Sequence, residues 1–159
     1  MKTPPARRRK AAGHGLRVLI LRSQFNDSVV SGLVRGALES LAEAGARVDV
    51  ESSPGAFELP LLAQTAAFTG RFDAIVALGA VIKGETDHYD HIAREAARGI
   101  LDASLTTGVP VAFGVLTVRK EAHASARSRP GRHNKGREAA AAAIDAALAI
   151  RRLTSGKTS

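Results

Sequence analysis

The chain contains no cysteine and no tryptophan, and aromatic residues make up only 4% of its 159 positions. Without cysteine there is no disulfide framework, no thiolate nucleophile, no thiol redox chemistry and no cysteine-bound metal, and the composition fits a reducing compartment. So few aromatics, none of them interleaved with basic residues, exclude the stacking platform on which single-stranded nucleic acids are held. Apolar runs are short as well. The longest, such as 74–81, have the length of a strand rather than of a membrane span, and no apolar core follows the basic N-terminus to make a signal peptide. These absences predict a cytoplasmic protein with no membrane partner.

What is present is basic charge, a net +8, unevenly placed. Residues 1–15, "MKTPPARRRKAAGHG", hold Lys and Arg without an acid among prolines and glycines, and are expected to form a disordered basic tail ahead of one domain over residues 16–155. The second cluster, "AHASARSRPGRHNKGR" at 122–137, lacks the features of a nucleic-acid surface and is better explained by a small anionic substrate. No nucleic-acid partner is expected.

From Arg17 onward, short β-branched runs alternate with longer helical patterns, the signature of a parallel sheet covered on both faces. "RVLIL" reads as the first strand. A helix follows over Ser28 to Ala44, with Val29, Val30, Leu33, Val34, Ala37, Leu38 and Leu41 at helical spacing and a glycine stop at Gly45. "ARVDVES" alternates with period two, the turn "SPGAFELP" leads into a helix through about Thr69, and the unbroken apolar run "DAIVALGAVI" reads as a central strand. A helix over His88 to Thr106, the strand "PVAFGVLTV", a short helix at 120–127, a basic loop and an alanine-rich helix from Gly136 to Leu153 complete the chain. The expected fold is α/β, a three-layer flavodoxin-like sandwich on a four-stranded parallel sheet whose open edges favour self-association.

In such folds ligands bind at the carboxyl edge of the sheet. The turns "SQFN", "SPGAFE" and "GETDH" each follow a strand and should meet there, with "AFG" of the fourth strand nearby. Singly each is weak: taken alone, Phe25 reads first as a core side chain, and Glu58 as a favourable first-turn acid. "GETDH" combines the free N–H groups of a helix start with His88, whose side-chain type titrates near neutral pH.

Five stretches, "FN" at Phe25 and Asn26, "PGAFELP" at 54–60, "LGAVIKGETDHYD" at 78–90, "TTGVPVAFGVLT" at 106–117 and "NKGREAA" at 134–140, together resemble the lumazine synthase family over Gly15 to about Leu153. The resemblance implies condensation of 5-amino-6-(D-ribitylamino)uracil with 3,4-dihydroxy-2-butanone 4-phosphate to 6,7-dimethyl-8-ribityllumazine, with release of phosphate and water and with neither cofactor nor metal. It further implies that Phe25, beside Asn26, stacks on the pyrimidine, while Ala56, Phe57, Glu58, Ala80, Val81 and Ile82 hold its polar edge and ribityl chain. Glu85, Thr86 and Arg127 are implied to grip the phosphate, and His88 to carry protons. Phe113 and Lys135 are implied to complete the pocket from a neighbouring subunit of a homopentamer, which a capsid of sixty subunits can be built from. Around Arg127 the chain departs from the family pattern, with His123, Arg129 and Pro130 in unfamiliar places, so Arg129 and Arg132 stay open as alternatives.

Three rivals follow from the same residues. A metal site on His88, Asp90 and His91 is disfavoured because helical residues two and three apart do not all converge. A receiver domain needs an acidic cluster after the first strand, where "RSQFN" is followed by Asp27 alone. A non-catalytic binder of flavin or lumazine stays open.

Overall fold

A computed structural model describes residues 12–156. Its strands are β1 (Arg17–Ser23), β2 (Arg47–Ser53), β3 (Ala74–Ile82) and β4 (Val111–Val118). Its helices are α1 (Asp27–Ala44), α2 (Leu59–Phe68, entered through a 3-10 turn at Ala56–Glu58), α3 (His88–Thr107), α4 (Glu121–Ser128) and α5 (Lys135–Thr154). Every element stands where the periodicity predicts it, with ends shifted by a residue or two. The α/β class and the layered, flavodoxin-like sandwich hold. Residues 12–15 form a turn in which the Gly13 N–H donates to Ala44 O at 2.8 Å; the rest of the expected basic tail lies outside the described residues.

The strands are all parallel in the order β2-β1-β3-β4. One face packs Val18, Ile20, Val76, Leu78 and Leu116 against α1, α4 and α5; the other packs Leu19, Leu21, Ile75, Ala77 and Val115 against α2 and α3. The first seven residues of β3 are buried on both sides, which is why its sequence reads as an unbroken apolar run. Strand β2, at one edge, is mostly exposed, and Val50 stands open rather than in a core. The strand after β1 lies on one side of it and β3 on the other, so the connection reverses direction between β1 and β3. That reversal opens a crevice at their carboxyl ends.

Helix α1 ends at Gly45, whose φ of 76° lets the cap N–H reach back to the last carbonyls. Helices α1 and α5 cross closely enough that a Cβ on Gly136 would run into the Leu33 carbonyl oxygen. Arg137 strengthens the same crossing through Glu43, donating to its Oε1 at 2.6 Å, and this hydrogen bond is the main cause that raises the guanidinium pKa above its ordinary value.

Candidate active site

The turn after β1 is built for display. Asn26 has a left-handed backbone (φ 56°), the one positive φ outside glycine among the described residues, and asparagine tolerates that region better than most residues. It occupies the cap position of α1 but does not cap it. Its Nδ2 instead crosses to β3 and donates to Ala80 O at 2.9 Å, lacing the β1 and β3 ends across the crevice. Arg22, at the end of β1, pairs with the Asp27 carboxylate and reaches Ser31 Oγ at 3.3 Å. Sequence reasoning missed this brace; an arginine and an aspartate flanking a strand-to-helix turn were its only signal. Held on both sides, Phe25 stands 69% exposed, so its reading as a core phenylalanine is overturned.

The turn after β2 meets this one, and the turn after β3 leaves the strand that Asn26 is laced to. The Gln24 N–H donates to Ser53 O at 3.0 Å, and Ser53 Oγ donates to Gly55 O at 2.7 Å. A Cβ on Gly55 would touch the Phe25 ring at 3.3 Å and the Glu58 carboxylate at 3.1 Å, so glycine lets these two groups share one patch. In the 3-10 turn Ala56 is buried and Phe57 exposed. On β3, Ala80 is buried while Val81 and Ile82 are half-buried, and the exposed residues Glu85 and Thr86 then lead to His88, the first residue of α3 and also exposed. An aromatic face, a carboxylate and backbone groups thus gather around the β1/β3 crevice, and the His88 imidazole stands at the start of the helix that follows β3.

Phe113, Arg127 and Lys135 are elsewhere. Phe113 pairs in register with Ala77, five residues before the end of β3, so "AFG" lies in the middle of β4 and not at the carboxyl edge where sequence reasoning put it. It is 45% exposed on the open edge strand. Together with Arg127, Lys135, Glu138, Ala139 and Ala142 it lines a cavity of about 350 Å³ along β4 that includes no residue from the crevice. This is near the lower limit for small-molecule sites. Neither Arg129 nor Arg132 lines it. Arg127 folds back to donate to His123 O at 3.0 Å, and Lys135 Nζ donates to Glu138 Oε2 at 2.8 Å. Both partners are exposed or nearly so, and such contacts are weak enough for an arriving anion to replace.

Among the described residues no three His, Asp or Glu side chains converge as metal ligands would, His88, Asp90 and His91 included. Nor is any described helix long and apolar enough to cross a membrane.

Comparison with known proteins is consistent along nearly the whole chain. The family model described as 6,7-dimethyl-8-ribityllumazine synthase matches residues 15–151. The chain is 50% identical over 140 residues to 6,7-dimethyl-8-ribityllumazine synthase 1 of Caulobacter vibrioides, covering 86% of this chain and 92% of that protein. It is 48% identical over 141 residues to the 6,7-dimethyl-8-ribityllumazine synthase of Deinococcus deserti, covering 87% and 90%. With that of Thermococcus gammatolerans it shares 45% over 142 residues, covering 89% and 92%.

Proposed function

The chain belongs to the 6,7-dimethyl-8-ribityllumazine synthase family, and from this premise we propose that its active site is completed between subunits, the β1/β3 crevice of one facing the β4 cavity of the next. The enzyme is a transferase of riboflavin biosynthesis. It condenses 5-amino-6-(D-ribitylamino)uracil with 3,4-dihydroxy-2-butanone 4-phosphate to 6,7-dimethyl-8-ribityllumazine, releasing phosphate and water.

The observation that carries the shared site is the division of its chemistry. The crevice has the aromatic face, the carboxylate and the imidazole, whereas the cations suited to a phosphate line a separate cavity on an open edge strand. In a head-to-tail ring the edge of one copy meets the crevice of its neighbour. Leu61, Phe68, Leu101 and Leu105 stand exposed on α2 and α3, an amount of apolar surface that supports a homo-oligomer. The homopentamer is the ring that the family resemblance implies, and the cysteine-free composition fits a cytoplasmic location.

In the assembled site the pyrimidine stacks on Phe25, flanked by Asn26 and Phe113. Its polar edge meets the backbone of Ala56, Phe57, Ala80, Val81 and Ile82, and the ribityl hydroxyls meet Glu58. The butanone phosphate lies between Glu85 and Thr86 of one chain and Arg127 and Lys135 of the next, where a planar permanent cation and a point charge suit the dianion. The amine attacks the ketone to give an imine with loss of water, phosphate departs by elimination, and the ribitylamino nitrogen closes the ring on the remaining carbonyl with loss of a second water. Each step moves a proton, and His88, at the rim of the crevice, is the group to carry it. Held together, the amine and ketone need little more than proper orientation.

The test separates an enzyme from a mere binder of the product. Purified protein given both substrates should form the lumazine chromophore over many turnovers with stoichiometric release of inorganic phosphate. Protein that carries a coloured ligand but releases no phosphate is a binder, and the catalytic reading then fails.

A further inference from the structure

The segment that joins α4 to α5 is fastened by a single side chain. Asn134 is 2% exposed. Its Oδ1 accepts the Arg137 N–H at 3.0 Å and caps α5. Its Nδ2 donates to Gly32 O, Ser128 O and Arg129 O, each at 3.0 Å. An amide offers two hydrogens, so three acceptors mean that one of them is shared. One buried amide therefore touches the middle of α1, the end of α4 and the start of α5.

The seat is made by glycines. A Cβ on Gly36 would strike the Asn134 side chain, and a Cβ on Gly32, one helical turn away on the same face of α1, would strike Ser128 O. The segment can lie directly on the α1 backbone only because both positions are bare. A cap alone does not require this residue: serine, threonine or aspartate would also satisfy the α5 terminus. Only asparagine adds the donors that the three carbonyls take up. The flanking residues give the arrangement its meaning, because Arg127 precedes Ser128, Lys135 follows Asn134, and both cations line the β4 cavity.

We infer that Asn134 is a positioning residue for phosphate recognition: by tying Ser128, Arg129 and the α5 terminus to α1, it fixes the spacing of Arg127 and Lys135 before the substrate arrives. The inference rests on the reading that these two cations hold the substrate phosphate. Two cations already ordered by folding bind an anion without a further ordering cost, whereas a loosened pair meets that cost on every binding event. The loss should therefore fall on phosphate affinity and leave proton transfer and pyrimidine binding alone.

Asn134→Ser keeps a capping oxygen and removes the amide donors. It should raise both KM for the butanone phosphate and the inhibition constant of inorganic phosphate roughly tenfold, with kcat and KM for the pyrimidine little changed. Arg137→Ala is the control for plain destabilisation, since it removes the ion pairs to Glu39 and Glu43 across the same α1–α5 crossing; it should lower the thermal midpoint without moving either phosphate constant. Gly36→Ala, which displaces Asn134 while leaving all its groups in place, should reproduce the Asn134→Ser pattern, and it decides the question if Asn134→Ser does not fold. Phosphate constants that stay at wild-type values, or move no further than in Arg137→Ala, overturn the inference. If Arg127→Ala and Lys135→Ala themselves leave these constants unchanged, the underlying phosphate reading fails, and that result is distinct from a failure at Asn134 alone.

Discussion

His88→Ala should lower kcat by roughly ten- to a thousandfold while leaving both KM values near wild type. The size follows from what the residue is asked to do. Imine formation, phosphate departure and ring closure each need a proton moved near neutral pH, and a positioned imidazole is the ordinary means. The loss stops short of abolition because the reactants stay oriented on Phe25 and the phosphate grip, and an amine and a ketone held in reacting geometry condense unaided. His91, one helical turn along α3 and equally exposed, provides the control: His91→Ala should leave kcat unchanged. A wild-type kcat in His88→Ala removes this side chain from proton transfer.

Arg127→Ala should act on binding instead. Losing a charge-assisted partner of the phosphate costs on the order of 2–3 kcal/mol, which is a rise in KM for the butanone phosphate of roughly 30- to 150-fold. The pyrimidine KM should hardly move. Among the three arginines of the basic cluster only Arg127 lines the β4 cavity, so Arg129→Ala and Arg132→Ala should be mild. A large effect at Arg129 with none at Arg127 would mean that the grip is built by the wrong residue of the three.

The parts of this molecule that could be read from its sequence are those set by local rules. The buried strand β3 announced itself as an apolar run, α1 by its periodicity and its glycine stop, and the crevice by three turns that each follow a strand. What could not be read depends on partners far along the chain or on another chain. Asn134 meets Gly32 across 102 positions, and nothing local to either residue reveals that contact; the bare positions Gly32 and Gly36 make sense only once the end of α4 and the segment leading to α5 lie over them. Phe25 is ambiguous in sequence because an aromatic between a strand and a helix usually enters the core, and only the lacing of Asn26 to Ala80 shows why it cannot. The sequence places "AFG" near the carboxyl edge because it belongs to the fourth strand, yet the register of β4 against β3 sets Phe113 opposite Ala77. Mid-strand on an open edge, it has no role within its own crevice.

That displacement makes the division of the site between chains the claim most worth testing, and co-assembly of the two impaired chains, assayed at butanone phosphate well below the KM of the Arg127→Ala chain, tests it directly. His88→Ala and Arg127→Ala chains, co-expressed in equal amounts and confirmed by mass to form mixed rings, leave each site with one crevice donor and one cavity donor drawn at random. A site is whole when the Arg127→Ala chain supplies the crevice and the His88→Ala chain supplies the cavity, which for one donor of each kind returns about a quarter of wild-type activity. A mixture no more active than the average of the two separate variants contradicts the shared site, and with it the assignment of Phe113, Arg127 and Lys135 to the neighbouring subunit's substrate.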